Sequence, residues 1–410
     1  MPRQVGGLLR CVRLEQGEGS GRVSVCRLTV LNIVEDGRYG GPLQRIAEVG
    51  ARLRADHRID TVVLLPTIGS ERFQDLLRRV GVDWRAARLH RLTKHASHLV
   101  SYALFFLPEV LAIRSVIRSL EPDVVHCNGS WQVKGMVAAW LAGVPRVWHM
   151  NDSFMPTVVQ AVFDVVYRVC SPDGVVCSSR RSLGYYFGNG RRPQPRAAWV
   201  IAPPVDTARF DPARDFPCPY PDGDFDGMRV LSIGNVVPVK DHELLIRLAH
   251  EMGARGREER LRFYVAGTVL DNHRAYYERL RGLAARLGVE SVTFLGARQD
   301  VPALLRHADI FICTSQHETG PMALWEALSM AKPAVSTDVG DVRELFDAHR
   351  CGLVADSRDP RELADLLERL IDRPDEAAVM AHNGRVAAEL LDVRHAAAKH
   401  AACYREVTGC

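Results

Sequence analysis

Lysine is scarce in this chain of 410 residues. Only five lysines, at positions 94, 134, 240, 332 and 399, stand against 48 arginines. A skew of this kind is typical of a GC-rich genome, so most arginines carry no individual message. Any lysine with a function stands out against that background, because the chain uses arginine almost everywhere else.

Metal-ligand spacings and long apolar runs are also missing. The ten cysteines form no CxxC pair, and no Cys/His cluster has zinc spacing. This pattern predicts free thiols in a reducing, cytoplasmic setting. The longest uncharged apolar stretch, between His98 and Glu109, is far shorter than the roughly 20 residues of a membrane-spanning helix. No apolar segment typical of a secretion signal is seen at the N-terminus.

The overall composition is that of a globular protein. Hydrophobic residues make up 47% and charged residues 25%, which excludes a disordered chain, a collagen and a coiled coil. The net charge of +4 does not call for a nucleic-acid partner. A chain of this length predicts two domains.

Short apolar strands alternate with amphipathic helices along most of the chain. The first series of strands runs from Arg27–Val34 to Trp199–Ile201, and a second series begins at Arg229–Ile233 after a proline-rich break. Continuous apolar strands that alternate with helices indicate parallel sheets covered on both faces. The predicted fold class is therefore α/β, with two Rossmann-like, doubly wound domains that face a central cleft.

These patterns also predict domain boundaries. We expect a loosely ordered extension at residues 1–25, an N-terminal domain at 26–205, a linker at 206–227, a C-terminal domain at 228–385, and a final helix at 386–410 that can pack back on the N-terminal domain.

The segment Ser315–Met330 contains the most informative motif. A turn with Glu318 and Gly320 follows a predicted strand, and a helix is expected to begin near Pro321, where a missing N–H does no harm. The free backbone amides of Gly320, Met322 and Ala323 would then form an anion site at the helix N-terminus. Glu326 lies on the second turn of this helix. Alternatively, Glu318 caps the helix and Glu326 is solvated, and neither of them contacts a ligand.

Two further turns follow predicted first strands. In Gly234–Asp241, the rare Lys240 offers a compact ammonium rather than an arginine fork, and Asn235 offers a hydrogen-bond donor without charge. In the other turn, Gly40 and Gly41 would let the backbone approach a ligand closely. An exposed lysine and an ordinary strand–helix turn are the alternatives.

These motifs resemble the donor site of retaining glycosyltransferases of family 4, also called group 1, which have the GT-B fold. The resemblance runs from about Arg27 to the C-terminal helix. It implies that Glu318 contacts the donor sugar, that Glu326 contacts the ribose, and that the segment Gly320, Pro321, Met322 and Ala323 holds the sugar and diphosphate. Lys240 matches the lysine that binds the diphosphate, whereas Asn235 replaces the arginine that is usual in the family.

The resemblance also assigns roles on the N-terminal side and at the nucleotide base. Gly40 and Gly41 would lie near the acceptor and the diphosphate, and Arg298 would lie near the base. The family sequence Thr-x-His-Asp aligns its histidine with Asn151 and its aspartate with Asp152, so either His149 or Asn151 would face the sugar. Asn128 and Asp152 would lie on the acceptor side. Buried structural side chains are the alternative for His149 and Asn151.

The implied function is transfer of a hexose-type sugar from a nucleotide-diphosphate sugar to a hydroxyl of a glycan or lipid-linked acceptor, with retention of configuration. This would serve cell-surface polysaccharide or glycolipid synthesis, without a metal or other cofactor. The apolar, basic segment from His90 to Leu120 would suit peripheral contact with the inner face of the plasma membrane. A helix packed on the sheet explains this segment at least as well. A nucleotide-sugar 2-epimerase and a catalytically inactive nucleotide-sugar-binding scaffold are the two alternatives.

Overall fold

The computed structural model describes residues 27–38, 40–92, 96–152, 155–190 and 192–410. The predicted extension at residues 1–25 lies outside these ranges. Within them, the chain forms two parallel sheets, each covered by helices on both faces. The two predicted Rossmann-like units are therefore present.

The N-terminal domain contains a seven-stranded sheet with the strand order β3-β2-β1-β4-β5-β6-β7. Its elements are β1 (Leu28–Ile33), α1 (Gly41–His57), β2 (Ile59–Pro66), α2 (Glu71–Val80), β3 (Asp83–Ala87), α3 (Ala96–Leu104), α4 (Phe106–Leu120), β4 (Val124–Asn128), α5 (Val133–Ala142), β5 (Arg146–Met150), α6 (Thr157–Cys170), β6 (Gly174–Cys177), α7 (Arg180–Phe187) and β7 (Ala198–Val200).

The C-terminal domain contains a six-stranded sheet with the order β10-β9-β8-β11-β12-β13. Its elements are β8 (Met228–Ile233), α8 (His242–Ala254), β9 (Leu261–Ala266), α9 (Arg274–Leu287), β10 (Val292–Gly296), α10 (Val301–His307), β11 (Ile310–Cys313), α11 (Met322–Ser329), β12 (Ala334–Thr337), α12 (Val342–His349), β13 (Leu353–Ala355), α13 (Pro360–Asp372), α14 (Pro374–Glu389) and α15 (Val393–Thr408).

The edge strand β3 was not predicted from the sequence. Three of its five residues are exposed and two are half-buried, and it pairs only with β2. The central strands β1 and β4 are by contrast almost completely buried, because helices cover both of their faces. An apolar run identifies a buried strand, and the half-exposed β3 has no such run in its sequence.

The end of the chain is two helices rather than one helix from residue 386. Helix α14 ends at Glu389, and α15 begins at Val393 after the carboxylate of Asp392 accepts a hydrogen bond from the amide of Arg394. Helix α15 packs on α1 and β4 of the N-terminal domain. The crossing from one domain to the other is bonded to the end of the N-terminal domain, just before the linker, because Val205 exchanges backbone hydrogen bonds with Leu391 and Val393.

A cluster of buried histidines lies where α15 meets the N-terminal sheet. His126 bonds to the Tyr404 hydroxyl at 2.6 Å and to His149 at 3.2 Å. His400 is equally buried, yet neither of its ring nitrogens has a partner among the described residues. Burial lowers the pKa of His126 and His149 well below the usual value and lowers the pKa of His400 to about 3. All three rings are therefore neutral in the folded protein at pH 7.

Stability should consequently fall as the pH drops below about 6.5, because these histidines become protonated in the unfolded chain but stay neutral in the folded protein. We expect a loss of about 1 kcal/mol per buried histidine between pH 6.5 and 5.5 in the free energy of unfolding measured with urea. In the variant His400→Phe, the free energy of unfolding should depend less on pH, by the contribution of one histidine. At pH 8 this variant should be as stable as the wild type. The exposed His382→Phe should keep the wild-type profile, and an identical effect of both variants would contradict this assignment.

Candidate active site

The loops at the two topological switch points face the cleft between the domains. The strand order reverses between β1 and β4 in the first sheet and between β8 and β11 in the second. Ligands of doubly wound sheets bind at the carboxyl ends of the strands beside such reversals. The loops after β8 and β11 carry Lys240 and Glu318, and the loop after β1 carries Gly40 and Gly41.

Lys240 and Glu318 form the central ion pair of the cleft. Lys240 Nζ lies 2.5 Å from Glu318 Oε1, which also accepts a hydrogen bond of 2.9 Å from the Ser315 hydroxyl. Burial by itself would lower the pKa of Lys240, but the Glu318 carboxylate outweighs burial and raises this pKa above its usual value. A partly buried, charged ammonium therefore stands in the loop after β8.

Two glycines shape the loop that carries this lysine. A Cβ atom on Gly234 would lie 2.9 Å from Lys240 Cε, so the lysine stem rests on bare backbone. A Cβ atom on Gly267, which follows β9, would lie 1.9 Å from the carbonyl oxygen of Gly234. Gly267 was not identified from the sequence, because only the packing of β9 beside β8 brings it to the site.

Helix α11 points its N-terminus at the same region. It begins at Met322 with Pro321 as its N-cap, one residue later than expected. No side-chain hydrogen bond caps this end, so the first amides remain available to an anion. A small pocket lies here; its lining includes Lys240, Cys313, Ser315, Pro321, Ala323 and Leu324.

Glu326 lies one turn further along α11 and is only 9% exposed. Burial raises its pKa to about 8, with Arg209 of the linker acting in the opposite direction and Glu48 of α1 acting in the same direction. The carboxyl group is therefore largely protonated at pH 7 and could donate as well as accept a hydrogen bond. Its neighbours come from the linker and the N-terminal domain, so Glu326 lies at the domain boundary.

The turn before α11 is also where the two domains touch. The Thr319 hydroxyl donates to the Asn151 carbonyl oxygen at 3.1 Å. A Cβ atom on Gly41 would lie 2.9 Å from Met322 Sδ, and one on Gly320 would lie 2.4 Å from Pro203 Cδ. Both glycines are thus explained by close approach across the cleft, and the backbone of Asn151 lies at the cleft.

His149 does not face the cleft, contrary to the expectation that it could line the sugar. Its side chain is fully buried and lies 2.7 Å from Arg45 Nη1 and 3.2 Å from the Ser178 hydroxyl. The side chain of Asn128 also points inward, because it accepts a hydrogen bond from Arg45 and donates one to Asn32. Packing of α1 against the sheet directs both side chains into the interior of the N-terminal domain.

The remaining predicted residues are spread along the cleft edges. Both Asp152 oxygens accept hydrogen bonds, from the Ser130 and Tyr186 hydroxyls, which assigns this carboxylate a structural task rather than a direct contact with an acceptor. Asn235 is exposed on the loop after β8. Arg298 follows β10 at the sheet edge, where it forms an ion pair of 2.5 Å with Asp300.

A second buried lysine escaped the sequence analysis. Lys134 of α5 is fully buried; it lies 2.5 Å from Glu109 Oε2 and 3.8 Å from Glu35 Oε2, and its ammonium sits over the Tyr102 ring. Glu35 follows β1 at the carboxyl edge of the sheet, and its burial raises its pKa to about 8. The scarcity of lysine was the available signal, but no motif around Lys134 pointed to its acidic partners.

Two kinds of feature are absent from the described residues. No group of three or more histidine, cysteine or acidic side chains could hold a metal ion in the part of the chain that the structure describes. Among the helices of those residues, none is long and apolar enough to cross a membrane.

Comparison with protein families identifies the C-terminal domain. Residues 226–387 match the family described as glycosyl transferases group 1. The D-inositol 3-phosphate glycosyltransferase of Thermobispora bispora is 28% identical over 324 residues, which cover 71% of this chain and 70% of that protein. The α-D-kanosaminyltransferase of Streptomyces kanamyceticus is 27% identical over 179 residues, covering 43% of this chain and 45% of that protein. This chain thus spans less than half of the second relative.

Solved structures share the fold. Anabaena Alr3699/HepE, in complex with UDP and glucose, superposes with a TM-score of 0.74 at 21% identity, covering 92% of this chain and 99% of that one. A glycosyltransferase from Rickettsia africae ESF-5 gives a TM-score of 0.77 at 17% identity, covering 93% and 98%. These likenesses confirm the predicted GT-B arrangement of two Rossmann-like domains.

The packing of Gly267 on Gly234 generates a prediction about stability. The variant Gly267→Ala should lower the free energy of unfolding by about 3 kcal/mol or more, because a Cβ at this position overlaps backbone that cannot move aside. Urea unfolding followed by circular dichroism measures this loss. The matched variant Gly282→Ala, inside α9, places its Cβ 3.4 Å from a flexible arginine tip and should be neutral or slightly stabilising. Equal losses in the two variants would refute the packing argument.

Proposed function

Because residues 226–387 match the group 1 glycosyltransferases, we propose that this chain transfers a hexose-type sugar from a nucleotide-diphosphate donor to an acceptor hydroxyl, with retention of anomeric configuration. The observation that carries the proposal is the Lys240–Glu318 ion pair beside the open N-terminus of α11. A cation, free amides and a carboxylate then stand together at the switch point of the second sheet, where a nucleotide sugar would bind.

The diphosphate would bind between Lys240 and the first turn of α11. When the bond from the sugar C1 to the phosphate oxygen breaks, negative charge develops on the leaving diphosphate. A preorganised ammonium and a helix N-terminus stabilise such charge most strongly where water is excluded. Asn235 can contribute a hydrogen bond but no charge, so Lys240 would supply most of the neutralisation from the loop after β8.

Glu318 and Glu326 would orient the two ends of the donor. Glu318 can accept hydrogen bonds from hydroxyls of the sugar while it keeps Lys240 charged. Glu326 lies further along the motif, on α11 at the domain boundary, and would contact the ribose. In this arrangement each glutamate reads a different sugar ring, and the diphosphate lies between them.

Retention would follow from attack on the same face that the diphosphate leaves. The acceptor oxygen forms the new bond to C1 as the C1–phosphate bond breaks, and the phosphate oxygen takes the acceptor proton. On the opposite side of the cleft, the predicted carboxylate Asp152 is occupied by the Ser130 and Tyr186 hydroxyls. Asn151, whose carbonyl already meets Thr319, would line that side of the sugar.

The acceptor would be a hydroxyl of a glycan or of a lipid-linked sugar in cell-surface polysaccharide or glycolipid synthesis. The name of the Thermobispora bispora relative suggests D-inositol 3-phosphate as a second candidate. A panel of both acceptor types, tested with each nucleotide sugar that stabilises the protein in a thermal-shift screen, separates them.

A lipid-linked acceptor is supported by an apolar face on the N-terminal domain. Ten of the 15 large apolar side chains that are exposed among the described residues lie between positions 96 and 170. Helices α4, α5 and α6 pack side by side there, with α3 beside α4. Leu104 and Leu107 are 69% and 62% exposed. So much exposed apolar surface is unusual for a protein surrounded only by water.

The charges on this face would suit an anionic membrane. The described acidic side chains of α3 to α6 are Glu109 and Asp164, and both are held in ion pairs by Lys134 and Arg192. Arg114, Arg118 and Arg168 lie on the same helices. Apolar insertion together with basic side chains gives binding to anionic lipid surfaces.

The two other interpretations of the site lead to different results. A nucleotide-sugar 2-epimerase would convert the free donor in the absence of any acceptor. An inactive scaffold would bind a nucleotide diphosphate without turnover of any donor. Either result with the wild-type protein would replace the transferase proposal.

The first prediction from this proposal concerns catalysis. The variants Lys240→Met and Glu318→Gln should each lower kcat by about 10² to 10³, because the leaving diphosphate loses its cation or the sugar loses its anchor. Transfer of a radiolabelled sugar, followed by chromatography of the product, measures this. The matched variant Lys332→Met removes a lysine that bonds to the Arg306 carbonyl outside the cleft and should retain activity. Full activity of Lys240→Met and Glu318→Gln would show that the site lies elsewhere.

The second prediction concerns the apolar face. The double variant L104E/L107E should bind vesicles of phosphatidylcholine and phosphatidylglycerol at least about tenfold more weakly than the wild type, since two leucines no longer insert. Co-sedimentation measures binding. The matched control is the double variant V379E/V386E on α14, which introduces the same two charges at valines that are 60% and 53% exposed. This variant should bind the vesicles as strongly as the wild type does. Equal binding by the wild type and both variants would exclude this face as the contact.

A further inference from the structure

Helix α7 of the N-terminal domain is bonded directly to the loop that follows β12 in the C-terminal domain. The Asp341 carboxylate accepts hydrogen bonds from the backbone amides of Arg180 at 2.7 Å and Arg181 at 3.2 Å. The Arg181 guanidinium in turn donates to Asp338, to its carboxylate at 2.8 Å and to its carbonyl oxygen at 3.0 Å. Four hydrogen bonds thus cross the cleft at one place.

The first turn of α7 leaves these two amides unused by its own domain. Ser179 forms a capping box with Ser182, in which its hydroxyl accepts the Ser182 amide. The amides of Arg180 and Arg181 precede that bond and have no carbonyl partner within the helix. A carboxylate at such a helix end forms a charge-assisted hydrogen bond and also interacts favourably with the helix dipole.

The position of Asp341 in its own domain is also unusual. It occupies the N-cap position of α12, where an aspartate normally bonds to the amides of the helix that it begins. No side-chain hydrogen bond caps α12 in this structure. The carboxylate instead caps a helix of the other domain, so a bond between domains stands where a bond within α12 would be usual.

The loop that bears these aspartates rests on the turn that holds Glu318. Gly340 has a φ of 53°, and a Cβ on it would lie 3.1 Å from the Thr319 carbonyl oxygen and 3.4 Å from the Glu318 carbonyl oxygen. Thr319 itself bonds to Asn151 of the N-terminal domain. The segment 338–341 is therefore packed between α7 on one side and the backbone of Glu318 on the other.

We propose that Asp341 and Arg181 are positioning residues that hold the cleft closed and thereby keep Glu318 in place for the donor. When the domains separate, the Asp341 carboxylate would return to the amides of α12, so the loop would have two alternative hydrogen-bond arrangements. Asp341 would contribute more than Arg181, because the side chain of Arg181 is 44% exposed and exposed ion pairs are weak. The part of this inference that concerns the donor rests on the proposed function.

Hydrogen exchange of the ligand-free protein tests the contact without any assay of activity. In Asp341→Ala, the amides at the start of α7 should exchange about tenfold faster than in the wild type, and the segment 319–322 should also lose protection, because the cleft opens. Faster exchange of α7 alone would show that Asp341 is only a local cap, and unchanged exchange in both segments would overturn the proposal.

Kinetics then test the link to Glu318. We expect Asp341→Ala to raise the donor KM about tenfold and Arg181→Ala about threefold, with a smaller change in kcat, because donor binding must first close the cleft. Arg181→Lys should recover part of the loss. The matched control is Arg180→Ala, since Arg180 uses only its backbone amide here and its side chain is exposed.

The possible failures are distinguishable. If Asp341→Ala is unstable in urea unfolding, Asp341→Asn and Arg181→Ala provide the same comparison with smaller changes. Accelerated exchange in a protein that turns over no donor would retain the contact and reject the transferase proposal. Normal KM values in both variants, with an active wild type, would reject the positioning role and leave the transferase proposal intact.

Discussion

The ion pair between Lys240 and Glu318 is the interaction on which the rest of this structure depends. A partly buried ammonium is stable only beside a negative partner, and Glu318 reaches it from a strand on the far side of the switch point. The loop after β8 must therefore lie close to the loop after β11, which Thr314 and Gln316 secure through bonds to Lys240 and Val239 backbone oxygens. Bare glycine backbone beneath Lys240 completes the arrangement. The site is in this sense built before any ligand arrives.

The same turn joins the chemistry to the shape of the whole molecule. Thr319, Gly320 and Met322 make the contacts with Asn151, Pro203 and Gly41 across the cleft. Residues that would hold a donor are thus also residues through which the domains meet. Binding of a ligand there would therefore depend on whether the cleft is closed, and closure would fix the backbone of Glu318. Inside the N-terminal domain, Arg45 forms hydrogen bonds with His149 and Asn128, which stabilise the strands whose ends face the cleft.

Much of the fold could be predicted because buried parallel strands are apolar along their whole length. The strands that line the switch points were all visible, whereas β3 was not, since its sequence contains no apolar run. The structure brings Lys240 and Glu318 into contact, and it places Gly41 against Met322 and Gly320 against Pro203. His149 shows the limit of such reasoning, because a polar residue near a strand end can turn toward the cleft or toward the core. Packing of Arg45 against the sheet decided in favour of the core.

The sequence by itself determined two α/β domains, the order of their strand-end loops along the chain, and the residues that carry charge on those loops. These properties follow from local periodicity and residue type. Only the tertiary structure decided which side chains are buried, that Gly267 supports Gly234, and that Asp341 caps a helix 160 residues earlier in the chain. Such contacts join distant segments, and their geometry depends on how two complete domains pack against each other rather than on any local pattern.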